Sequence, residues 1–121
     1  MVNTQIEKIL FNYIIKSKKY YSVVEPEYFN NEHIRFIYKT LRTYYQKSED
    51  NRDMSNRQMW DLLKLNDKSD LLSIESFKNI MKFNLEEYDE KDFIIPTFET
   101  WVLDNKIKYG SIDIIETIRS S

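Results

Sequence analysis

The chain has no cysteine, no alanine, one glycine and one histidine in 121 residues. Without cysteine there is no disulfide, no thiolate metal site and no thiol nucleophile, and a reducing cytosol suits the chain as well as any compartment. A phosphate-cradling loop needs several glycines followed by a lysine and a hydroxyl residue, so Gly110 alone supplies none. Lacking alanine, the chain must draw helix propensity from Leu, Ile, Lys, Glu and Gln and from packing. Its richness in Ile, Lys, Asn and Tyr is read as the mark of an AT-rich genome and carries no functional weight. No run reaches about 18 uncharged apolar residues, and the opening MVNTQIEKIL has no basic stretch leading into a long apolar one. A cytoplasmic protein with no membrane partner is the expectation.

The charge is close to balanced, with 18 Lys and Arg against 20 Asp and Glu for a net of -2. Proteins that live on DNA phosphates carry a basic face, so DNA contact by this chain is expected to be weak or absent. A chain of this length is read as a single domain that buries roughly two-thirds of its unfolded surface.

Apolar spacing predicts helices throughout. Thr4 and Glu7 have the spacing of a capping box, opening a helix at about Gln5 whose Ile6, Ile9, Leu10, Tyr13 and Ile14 form a stripe. Phe11 and Ile15 widen that stripe, as in a central helix packed on two sides. Lys16, Lys18 and Lys19 lie at its end, where cations complement exposed carbonyls. Tyr20 to Val24 read as short turns closed by Pro26, with Tyr28 and Phe29 pinning them to the core. Asn30 or Asn31 caps the next helix, which carries Ile34, Ile37, Tyr38 and Leu41 and runs to about Lys47.

A polar loop, Ser48 to Ser55, follows, and Ser55 with Gln58 repeats the capping-box spacing before Met59, Trp60, Leu62 and Leu63. Asn66 to Asp70 breaks that helix, and Ser73 caps another bearing Ile74, Phe77, Ile80 and Met81. Asn84 to Asp92 is acidic and turn-like. Asp92 is expected to cap the last helix, with Pro96 at its fourth position and Ile94, Phe98, Trp101, Tyr109 and Ile112 along one face, Asn105 filling the step between. Gly110 would allow a bend there. No run of strict alternation marks a strand. The fold class is therefore all-α, a compact bundle of about six helices joined by loops of roughly 5 to 9 residues.

No catalytic constellation emerges. His33, in the first turn of a helix, reads as a cap or packing residue, since a general base or metal ligand needs partners that orient it. Glu86, Glu87, Asp89, Glu90 and Asp92 lack the spacing of a calcium loop and read as a solvated acidic turn. No catalytic, cofactor-binding or metal residue is assigned. Aromatic residues make up 15% of the chain, more than a small bundle easily buries. Trp101, Tyr109, Ile112, Ile115, Ile118, Tyr20 and Tyr21 are the candidate protein-interface residues. Ser55 to Leu65 and Ser73 to Phe83 are two short helices in sequence, but the connection is long for a helix-turn-helix and the second helix offers only Lys78 and Lys82.

Glu7, Leu10 and Phe11 in the opening helix, then Tyr28, Phe29, His33, Phe36 and Ile37, give the chain an order of motifs that resembles the N-terminal domain of DnaB-type replicative DNA helicases. Ile34 stands where that family usually has Arg, and the aromatic-aliphatic order of Phe36 and Ile37 is reversed. Thr97, Glu99 and Trp101, followed by Ile112, Ile114 and Ile115, resemble the corresponding helix in helicases of large tailed bacteriophages. The resemblance implies that residues 1–121 are the N-terminal fragment of a longer helicase, with approximately 97–121 leading toward its linker. It implies a non-catalytic collar in a hexameric ring that joins helicase subunits and receives primase or a helicase loader during DNA replication. ATP and Mg would belong only to a motor domain outside this chain, in the cytoplasm of a bacterial host cell. The alternatives are a free-standing phage adaptor or inhibitor acting on the replication machinery and, third, a helical DNA-binding regulator.

Overall fold

A computed structural model describes residues 4–17, 19–47 and 54–109. Among them every regular element is helical, as expected: α1 (Thr4–Ser17), α2 (Glu32–Lys47), α3 (Asn56–Asn66), α4 (Ile74–Met81) and α5 (Ile95–Tyr109), with short 3-10 turns at Pro26–Tyr28 and Leu85–Glu87 and a π turn at Glu90–Ile94. The chain divides into two compact units, Met1–Leu85 and Glu86–Ser121.

In the first unit α1 is largely enclosed. Ile9, Leu10, Phe11 and Asn12 are consecutive and all buried, and four consecutive residues sweep most of a helical turn. A helix enclosed on nearly every side must satisfy any polar group it carries. Asn12 donates from Nδ2 to the Lys8 carbonyl at 2.8 Å and to the Ile80 carbonyl at 3.0 Å, tying α1 to the last turn of α4. Lys8 also reaches Asn79 on α4.

Glu7 departs from its expected role. Its carboxylate does not close a capping box with Thr4 but accepts the Asn30 N–H at 2.6 Å and the Asn31 N–H at 2.8 Å, and it is only 1% exposed. From the other side Arg35 donates to the Phe29 carbonyl at 3.0 Å and the Asn30 carbonyl at 3.1 Å. An acid from α1 and a base from α2 thus satisfy the turn that separates them, and charged partners make these the stronger class of hydrogen bond. Asn31 then accepts the N–H groups of His33 and Ile34 through Oδ1, capping α2.

The aromatic excess forms a connected column. Phe11 meets Phe29 edge-on at 6.2 Å, Phe29 meets Tyr38 at 5.3 Å, and Tyr38 meets Tyr21 edge-on at 5.6 Å. Tyr21 continues to Tyr45 at 5.9 Å, and Tyr45 to Tyr44 at 5.2 Å, where the column reaches the surface. Offset and edge-on pairs at these separations add to the stabilisation from area burial. Tyr38 donates its hydroxyl to the Val24 carbonyl at 2.6 Å, and burial pushes its phenol well above the ordinary 10.0. Arg42 fastens the same turn, donating from Nε to the Tyr21 carbonyl at 2.8 Å and gripping Glu25 with both terminal nitrogens at 2.6 and 3.2 Å.

Ser55 and Gln58 form the predicted capping box, with Gln58 N–H to Ser55 Oγ at 3.2 Å and Ser55 N–H to Gln58 Oε1 at 3.0 Å. Ser73 caps α4 through the Ser76 N–H at 3.1 Å. Between these helices Asp70 sits at φ 54, the left-handed region that Asp tolerates better than most residues. The Asp67 carboxylate accepts the N–H groups of Leu71 and Leu72, each at 2.8 Å. These bonds, the one from Leu72 foremost, hold its pKa below the ordinary 3.8, with Lys64 adding to the effect.

In the second unit the helix starts earlier than expected. Asp89, not Asp92, is the cap, accepting the Asp92 N–H at 2.6 Å. The first turn is wide: Ile94 N–H bonds to the Asp89 carbonyl and Ile95 N–H to the Glu90 carbonyl, five residues back. Pro96 is therefore the second residue of α5, directly after a π turn, and not the fourth residue of a helix capped by Asp92. The widened register relieves the clash that a proline ring makes with the carbonyl four residues before it.

Candidate protein-docking surface

The candidate interface residues fall in different places. Trp101 is 3% exposed and Tyr21 is also buried, the first on α5 and the second in the aromatic column. Tyr20 is half-buried beside Tyr13, their hydroxyls 3.1 Å apart, with the Lys19 ammonium 5.0 Å from the Tyr20 ring centre. Tyr109 is 52% exposed at the described end of α5, next to the Lys108 ammonium. Ile112, Ile115 and Ile118 lie outside the described residues, as does Gly110. Tyr20 and Tyr21 belong to the first unit, Trp101 and Tyr109 to the second.

A pair that the periodicity reading passed over stands out on α5. Leu103 is 57% and Ile107 is 50% exposed. Four residues apart, they share one face, and at 100° per residue that face lies opposite the one carrying the buried Phe98, Trp101 and Val102. On the buried face the Phe98 and Trp101 rings stand 6.3 Å apart, and Asn105 donates from Nδ2 to the Trp101 carbonyl at 2.9 Å. The helix is therefore apolar on two sides. The available signal was Leu103 and Ile107 themselves, which fit no single stripe with Phe98 and Trp101.

A second exposed apolar region lies between α3 and α4, a groove of about 480 Å³. Trp60 and Phe77 form its floor with ring centres 5.3 Å apart. Ile74 lies at one end, 47% exposed, and Met81 lines it further along. Lys78 on α4 and Lys82 at its C-cap are exposed cations lining it, and Arg57 with Asp61 forms an ion pair at 3.4 Å on α3.

His33 lines a small polar depression of about 300 Å³ with Lys8, Asn31, Glu75 and Asn79. Its imidazole makes no hydrogen bond among the described residues; only its backbone N–H is held, by Asn31. The acidic residues from Glu86 to Asp92 are exposed, and Asp89 is engaged as the cap. Among the described residues no three His, Cys, Asp or Glu side chains converge where a metal ion could be held. No helix among them is long and apolar enough to cross a membrane. Comparison with protein-family models, with curated proteins and with solved structures finds no match.

Proposed function

We propose that this chain is the non-catalytic N-terminal oligomerisation and docking domain of a hexameric, DnaB-type replicative DNA helicase of phage or prophage origin, part of a collar that receives primase or a helicase loader. The observation that carries the reading is the second apolar face of α5, Leu103 and Ile107. A helix that buries Phe98 and Trp101 within its own chain and still presents two large aliphatic side chains is built for contact beyond the chain. The order of motifs from Glu7 to Ile37 supports the family, and a chain whose only glycine is Gly110 leaves ATP and Mg to a motor elsewhere.

Each of these half-exposed side chains has roughly 1 kcal/mol of burial still to gain, so a two-fold contact using both from each copy gains about 4 kcal/mol. Even before the cost of association is subtracted, that corresponds to a dissociation constant of about 1 mM, so the contact shows as self-association only when a concentration series reaches that range.

Light scattering across a concentration series tests the reading. Self-association that disappears in a Leu103→Asp, Ile107→Asp double variant of unchanged helicity is the expected result. Monomeric behaviour of both proteins overturns the oligomerisation role. The reading frame separates this proposal from the free-standing adaptor: continuation into G-x-x-x-x-G-K followed by Ser or Thr supports the helicase, and termination at Ser121 supports the adaptor.

A further inference from the structure

We infer that the groove between α3 and α4 is a docking site for an acidic amphipathic helix of a partner protein, an assignment that rests on reading this chain as a docking domain and specifies where and by what chemistry it docks. The groove has the size of a binding site, about 480 Å³. Its floor is the Trp60–Phe77 pair, rings of the kind that anchor interfaces when they become fully desolvated. Trp60 is only partly exposed and Phe77 is buried, so the floor is fixed in the free protein and little ordering is needed on binding. Ile74, half exposed, leaves apolar area for a partner to cover.

Charge selects the occupant. Lys78 on α4 and Lys82 at its C-cap are four residues apart, both exposed, and neither makes an ion pair among the described residues. Across the groove Arg57 is already held by Asp61. The uncompensated charge along this wall is therefore positive, in a chain whose net charge is -2. Two carboxylates four residues apart on a partner helix match that spacing, with an aliphatic or aromatic stripe entering between them and the floor. An extended peptide has no sheet edge to join, since every described element is helical. Two unpaired lysines are too few to hold a nucleic-acid backbone tightly.

A fluorescein-labelled synthetic helix with leucines at every third or fourth position and glutamates flanking them is the probe, read by anisotropy. Saturable binding is expected, weakened about tenfold or more in a Lys78→Glu, Lys82→Glu variant. The same variant should gain affinity for a matched peptide bearing lysines in place of the glutamates. Ile74→Asp should weaken both, and because all three substituted side chains are exposed, unchanged circular dichroism is the check that the fold survives. Absence of saturable binding, or equal binding by the double lysine variant, overturns the assignment. So does self-association that Lys78→Glu, Lys82→Glu abolishes, which would give the groove to a second copy. The α5 variants answer for the broader reading, so failure of the groove and failure of the docking domain are separable.

Discussion

Glu7 couples two elements that are far apart in sequence. Its two carboxylate oxygens each accept one backbone N–H from the turn before α2, and the carboxylate itself is buried, so its partners there must be protein donors. Glu7→Gln keeps the shape but offers one oxygen and turns an NH2 group toward the second donor. The expected loss is about 1–3 kcal/mol of stability, the penalty for a buried unsatisfied donor, measured as a lower urea midpoint with an unchanged slope. Tyr38 makes a pH-dependent contribution. Its phenol is held above 10.0 by burial, so its contribution is fully present below that pH and declines as pH rises toward the folded value, because the unfolded chain ionises first. Tyr38→Phe leaves the Val24 carbonyl without its donor and should cost about 1–2 kcal/mol at neutral pH. Urea midpoints over roughly pH 8 to 11 should show the gap between the two proteins narrowing on the alkaline side.

Helix ends differ in how much of their cause is local. The starts of α2, α3 and α4 were legible because Asn31, Ser55 and Ser73 cap donors two or three residues ahead. Thr4 and Glu7 show the limit of that reading: the spacing fits a capping box, but the carboxylate is taken by the turn at Asn30, 23 residues away. At α5 the cap moved three residues, from Asp92 to Asp89, because hydrogen bonds that reach five residues back leave no pattern in the sequence. Asp89→Ala should therefore cost about 1 kcal/mol and speed amide exchange at Asp92 and Phe93, while Asp92→Ala should change stability by less than about 0.5 kcal/mol. Equal effects would restore Asp92 as the cap. The docking surfaces were less legible than the helices. Trp101 was expected to contribute outward and is buried, whereas Leu103 and Ile107 point away from it; single-stripe periodicity finds the face with the larger rings and is silent about a second one.

Charge and helix geometry together bear on whether the whole chain reads DNA. A helix-turn-helix needs a short turn and a second helix with enough polar and cationic side chains to reach base edges and phosphates. Residues 67–73 separate α3 from α4, and the Asp67 carboxylate fixes that connection by its bonds to Leu71 and Leu72. The second helix, α4, has eight residues, and its cations are Lys78 and, just past its end, Lys82. Two phosphate contacts would give a salt slope of only about -2, far below that of proteins that reside on duplex DNA. With a net charge of -2, long-range attraction to a polyanion is also missing. The isolated chain is therefore expected to show no saturable binding to a duplex oligonucleotide at micromolar protein and about 0.15 M salt. A titration across salt concentrations checks this: tight binding with a slope steeper than about -5 would mean a cationic surface larger than Lys78 and Lys82 provide, and would favour a DNA-binding regulator over a docking domain.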